Sequence, residues 1–129
     1  DGMIEWTIEI DGTLRIDADR DQLFRVLSNL CRNALQAIEQ QDTVKGHIRI
    51  GARRSGMRVT VEVRDDGPGV PEKARIHLFQ AFQGSARKGG TGLGLAVAQE
   101  LVTAHGGSIR LLETSQGAAF EIEIPDRDT

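Results

Sequence analysis

The chain has no tyrosine, one tryptophan and one cysteine. A single thiol closes no internal disulfide, so no covalent framework staples this fold, and the cysteine usage fits a reducing compartment. Three dispersed histidines beside Cys31 offer no zinc spacing. A membrane helix takes roughly 18 consecutive apolar residues. No run approaches that length and no signal peptide is present, so no direct membrane contact and a cytoplasmic setting are expected. Basic residues are not in excess either: 16 Lys and Arg against 19 Asp and Glu leave a net charge of −3, which argues against a nucleic-acid partner. What remains is ordinary globular composition, 39% hydrophobic and 27% charged over 129 residues, enough for one domain with a real core. The first residues are Asp-Gly rather than an initiator Met. The expectation is therefore a single domain over residues 1–129, excised from a longer protein, with any membrane anchor outside it.

"IEWTIEI" alternates and predicts a strand; "DGT" predicts a turn and "LRI" a short returning strand. "DADRDQ" offers an N-cap for a long helix. From Gln22 to Gln41 the residues Leu23, Val26, Leu27, Leu30, Ala34, Ala37 and Ile38 recur at helical spacing and make one face. Arg25, Asn29, Arg32, Asn33 and Gln36 make another, and Cys31 reads as a small buried hydrophobe. "HIRIGARR" and "RVTVEVRD" around "SGM" predict a hairpin. "DDGPGV" predicts a loop, "PEKARIHLF" a short helix and "QAFQGSARKGG" a polar connector. "LGLAVAQELVTAH" predicts an apolar helix stopped by "GG". "SIRLLET" and "AAFEIEI" close the chain as a strand pair around "SQG". This succession predicts an α+β fold: a two-layer α/β sandwich, its mixed and mostly antiparallel sheet carrying helices on one face.

Three stretches could carry chemistry. Asn29 and Asn33 stand one turn apart on one helix face. They read either as solvated polar residues or as carbonyl oxygens aimed at a hard cation and its phosphates. "VRDDGPGV" reads either as a tight turn or as Asp65 fixed at a strand end, with Gly67 and Gly69 letting a flat ring approach the backbone. A carboxylate there would accept from the exocyclic amine of adenine and reject the carbonyl of guanine. "GGTGLGL" opens a helix on glycines, each of which costs roughly 0.5–1 kcal/mol against Ala in a helix interior. It lacks the Gly-Lys-Ser/Thr of a Walker loop, and its glycines at 90, 92 and 94 miss the dinucleotide fingerprint. A hinge or a phosphate site at a helix amino end both remain open.

In order and spacing, "NLCRNA", "DDGPG", "LFQAF", "GTGLGL" and "AHGG" resemble the successive boxes of the histidine-kinase catalytic domain. That domain belongs to the superfamily it shares with gyrase, Hsp90 and MutL ATPases. The likeness runs from about Trp6 to Pro125 and implies the Bergerat ATP-binding fold with ATP and Mg²⁺ as ligands. By resemblance, Asn33 would hold Mg²⁺ beside the phosphates, with Asn29 near them, both in the catalytic centre. Asp65 would recognise adenine, with Gly67 and Gly69 shaping its pocket. Phe79 and Phe82 would flank the ATP lid. Lys88, Gly90, Thr91, Gly92, Leu93 and Gly94 would form the loop that admits the triphosphate.

The resemblance further implies transfer of the γ-phosphate to a histidine on a separate dimerisation domain, and then to a response regulator. Relatives that hydrolyse ATP or phosphorylate serine resemble one another in a Glu four residues before the metal-binding Asn. Here that position is Asn29, which cannot accept a proton. Gln36 and Ala37 stand where many kinases have Lys and Tyr, so Arg32, Arg87 or Lys88 is the candidate for the missing positive charge. Only seven residues separate Phe82 from Gly90, a short lid. None of His47, His77 and His105 precedes an acidic residue, so the acceptor is expected outside the chain. His105, before Gly106-Gly107, is expected as a cation at a helix carboxyl end, with His47 and His77 on the surface. A regulatory nucleotide-binding module without catalysis, and a related ATPase or serine kinase, are the alternative readings.

Overall fold

A computed structural model describes residues 4–41, 45–80, 93–114 and 116–125. They form β1 (Ile4–Ile10), α1 (Arg20–Glu39), β2 (Gly46–Ser55), β3 (Arg58–Asp65), α2 (Glu72–Arg75), α3 (Gly94–Ala104), β4 (Ser108–Leu112) and β5 (Ala119–Pro125). α1 starts where the Asp19 carboxylate accepts from the Gln22 N–H at 2.9 Å, which satisfies one of the donors a helix start leaves unpaired. Its residues Val26, Leu30, Ala34, Ala37 and Ile38 are buried, the helical spacing expected of a core-facing stripe.

The five strands lie in the order β1-β2-β3-β5-β4. β1 pairs parallel with β2 and every other neighbour is antiparallel. This corrects one expectation: Leu14–Ile16 is not a returning strand. Instead the Asp11 carboxylate accepts from the Thr13 N–H at 2.8 Å and its hydroxyl at 2.7 Å, and Leu14 and Ile16 pack against the core. β1 finds its partner through α1, the crossover that a parallel pair requires. The β2–β3 hairpin is as expected, with Gly56 at φ +63° in its turn.

Strand register gives the sheet two unlike faces. Ile48, Val59, Val63, Ile122, Ile124 and Phe120 are buried on one side, where α1 covers β2 and β3 and α3 covers β4 and β5. The other side carries charges in alternate sign, with Arg110 on Glu121 at 2.8 Å, Arg64 on Glu62 at 3.4 Å, and Arg58 on Glu123. Exposed pairs of this kind contribute about 0–1 kcal/mol each, so the apolar layer holds the sandwich together.

The helix expected over residues 71–79 is shorter than that, ending at Arg75. Beyond it, turns carry the chain to Leu78, which is buried, and to Phe79, whose ring meets Phe120 edge-on at 6.2 Å. His105 also differs from expectation. Its Nδ1 lies 2.8 Å from the Leu101 carbonyl, which only accepts, and its Nε2 accepts from the Asp19 N–H at 3.1 Å. That pairing needs a neutral ring, so His105 fastens the end of α3 to the start of α1 rather than serving as a cation there. His47 is half-buried, its Nε2 2.6 Å from Thr7 Oγ1, and only His77 is exposed.

Candidate functional site

One side of α1 gathers the residues expected to act. Asn29 and Asn33 are both half-buried, and Asn29 Nδ2 donates to the carbonyl oxygen of Gly94 at 3.1 Å. The amino end of α3 is thereby fixed to α1 at Asn29. α3 has no side-chain cap at Leu93, and a helix amino end favours an anion. One turn beyond Asn33, Ala37 is fully buried. A Cβ built on Gly67 would stand 3.0 Å from the Ala37 Cβ, so the loop after β3 rests directly on the helix, and both positions must be small.

Asp65 ends β3 and is 4% exposed. Its Oδ1 accepts from the Gly67 N–H at 2.8 Å and the Ala118 N–H at 3.3 Å, and its own N–H donates to the Ala118 carbonyl at 2.9 Å. The carboxylate is therefore held from two chain segments. Asp66 turns the other way and accepts from the His47 N–H at 2.9 Å, so the tandem aspartates have separate tasks. Gly69 and Gly117 adopt φ +83° and +71°, the left-handed region that favours glycine. The carbonyl of Gly117 also accepts from Thr114 Oγ1 at 2.7 Å.

The structure thus sets Asn29, Asn33, Asp65, Gly67 and Gly94 along one helix face. Gly69 is held in the Asp65 loop, where a Cβ would stand 3.2 Å from the Gly117 carbonyl. Phe79 faces Phe120 in the core, and Leu93 precedes α3, partly exposed. Phe82, Arg87, Lys88, Gly90, Thr91 and Gly92 lie outside the described residues. Gly94 is less constrained than its company suggests: an added Cβ would meet Asn29 Cβ at an ordinary 4.0 Å. Gly117 and Ala118 were missed by sequence reasoning. "SQG" reads as a plain turn, and the one available signal was a glycine just before a strand.

Comparison with known proteins identifies the family and the fold. The family described as histidine kinase-, DNA gyrase B- and HSP90-like ATPase matches residues 18–128. The circadian input-output histidine kinase CikA of Synechococcus elongatus is 39% identical over 98% of this chain, which spans 17% of that protein. The nucleotide-free catalytic domain of histidine kinase ThkA superposes with a TM-score of 0.83 at 34% identity, over 95% of this chain and 79% of that one. Full-length ShkA, solved with AMPPNP, superposes at 0.77 with 35% identity over 95% of this chain and 25% of that one. ThkA in complex with the response regulator TrrA superposes at 0.75 with 32% identity, over 95% of this chain and 34% of the other. The Bergerat fold expected from the sequence is that of these kinase domains. The chain belongs to the histidine kinase-, DNA gyrase B- and HSP90-like ATPase family.

Proposed function

We propose that these residues form the ATP-binding catalytic domain of a cytoplasmic sensor-kinase segment. It holds Mg-ATP along α1 and delivers the γ-phosphate to a histidine on a separate helical dimerisation domain, from which a response regulator takes it. One observation carries the reading: the Asp65 loop and the start of α3 are both fastened to α1, at Ala37 and Asn29. A buried carboxylate stands toward one end of that stretch of α1 and the start of α3 at the other. Adenine would give its exocyclic amine to Asp65, whereas guanine would face the carboxylate with a carbonyl. An unpaired buried acceptor costs roughly 1–3 kcal/mol, enough to prefer ATP. The phosphates would lie at Asn29 and the first N–H groups of α3, where the helix end favours negative charge.

The Asn33 amide oxygen would suit Mg²⁺, which takes oxygen ligands and keeps several waters and would supply positive charge beside the phosphates. The protein's own contribution is then positioning and charge, as is usual in phosphoryl transfer. Asn29 accepts no proton, and an imidazole nucleophile brings its own lone pair, so the site suits histidine better than water or serine as acceptor. His47 and His105 are engaged within the domain by Thr7, Leu101 and Asp19, which supports an acceptor supplied from elsewhere. The AMPPNP complex of ShkA and the TrrA complex of ThkA support nucleotide and response regulator as partners.

Calorimetric titration of ATP, ADP and GTP, with and without Mg²⁺, tests the pocket. ATP should bind and GTP should not, and Asp65→Asn should weaken ATP at least tenfold. Absence of binding by the wild-type domain under every condition would overturn the reading.

A further inference from the structure

The Asp65 carboxylate is held from two segments far apart in the chain. Its Oδ1 accepts from the Gly67 N–H, two residues away in the same loop, at 2.8 Å. It also accepts from the Ala118 N–H, 53 residues away in the turn before β5, at 3.3 Å. The outer torsion of an Asp side chain is broad, so the local bond alone leaves the plane of the carboxylate free to swing. A second donor from another segment fixes that plane. The orientation of Asp65 therefore depends on where the turn before β5 stands, and the longer bond is the first to weaken when that turn shifts.

The side chain that sets this turn is Thr114. It is half-buried, and its Oγ1 donates to the Gly117 carbonyl at 2.7 Å. The same carbonyl oxygen faces Gly69, where an added Cβ would stand 3.2 Å from it. Thr114 thus fixes an oxygen on which the Asp65 loop packs. A second tie lies one residue earlier. Arg75 Nη1 donates to Glu113 Oε1 at 2.8 Å and its Nε to the Val70 carbonyl at 3.4 Å, so it joins the end of the loop to the end of β4. A polar cleft of about 280 Å³ is bordered by both ties, with Gly69, Val70 and Gln116 also in its wall. The Glu113 side chain is 90% exposed, so water screens this ion pair and it contributes little. The half-buried Thr114 bond contributes more.

We propose that Thr114 is a positioning residue for the base-recognising carboxylate. The Gly117 carbonyl and the Ala118 N–H belong to one peptide group, which is planar and trans. A hydroxyl that holds the oxygen therefore aims the N–H at the opposite edge, and that N–H holds Asp65. Arg75 and Glu113 give the same turn a weaker support. The inference rests on Asp65 as the group that reads the base, and it names what keeps that group in one orientation.

Thr114→Val keeps the shape of the side chain and removes the donor; Thr114→Ser keeps the donor. Calorimetry with ATP, and amide exchange of Ala118 in the nucleotide-free chain, read both variants. Thr114→Val should weaken ATP roughly two- to tenfold, the range of a single neutral hydrogen bond, and quicken Ala118 exchange. Thr114→Ser should stay near wild type in both. The deciding measurement is a cycle with Asp65→Asn: a residue that acts through Asp65 costs far less affinity once the carboxylate is gone. Arg75→Gln and Glu113→Gln should each weaken ATP less than Thr114→Val does, and the two together no more than either alone. Equal losses from Thr114→Val with and without Asp65→Asn would overturn the proposal, since a merely structural role predicts them. So would wild-type Ala118 exchange in Thr114→Val. A wild-type chain that binds no ATP would sink the nucleotide reading instead, and Ala118 exchange in the two variants would still decide whether Thr114 holds the contact to Asp65.

Discussion

A Cβ placed on Gly117 would stand 2.0 Å from the carbonyl oxygen of Asp65. The turn joining β4 to β5 is thus pressed against the residue that ends β3. The neighbouring Ala118 N–H completes the hold on the Asp65 carboxylate.

Gly117→Ala should therefore act twice. At φ +71° a side chain is strained whatever the space, and here there is none, so stability should fall by more than about 1 kcal/mol. ATP affinity should fall as well, because the turn cannot move without moving Asp65. Urea unfolding and calorimetry read the two effects. Gly12→Ala, with nothing within 4 Å of its added Cβ, is the control and should retain affinity.

His105 links two helix ends. His105→Phe keeps a ring but removes both the donor to Leu101 and the acceptor for the Asp19 N–H. The expected loss is about 1 kcal/mol per hydrogen bond, seen as a lower urea midpoint with an unchanged slope. Exchange of the Asp19 amide should quicken. An unaltered midpoint would show that the contact is idle.

Cys31 sits half-buried on α1, and burial pushes its thiol above the ordinary 9.0. At neutral pH it should be protonated and slow toward iodoacetamide, with the rate rising at higher pH than for the urea-unfolded chain. The sign for stability follows. The folded state holds this proton more tightly than the unfolded state, so its contribution is whole below 9.0 and declines as pH rises toward the shifted value. Chemical denaturation from pH 7 upward should show that decline, and Cys31→Ala should remove this part of it.

Much of this was legible because the determining patterns are local. Asn29 and Asn33 declare themselves by spacing within one periodic helix, and Asp65 by ending an alternating strand just before Gly-Pro-Gly. β1 was misread at its partner, since "LRI" after "DGT" looks like a hairpin locally while the actual neighbour begins at Gly46, across α1. His105 was misread because its deciding contact is 86 positions away, at Asp19. Gly117 was overlooked for the same reason: its constraint comes from Asp65, and no pattern within "SQG" encodes a neighbour from another strand.

The two attachments to α1 make that helix a gauge. The loop of Asp65 touches it at Ala37 and the start of α3 at Asn29, eight residues or about 12 Å apart at 1.5 Å per residue. A rigid rise, not the length of any connector, then sets the separation between the Asp65 loop and the start of α3. Insertions or deletions between residues 81 and 92 leave that spacing along α1 unchanged. A ligand of different length cannot be accommodated by lengthening a loop; that would take another turn of α1.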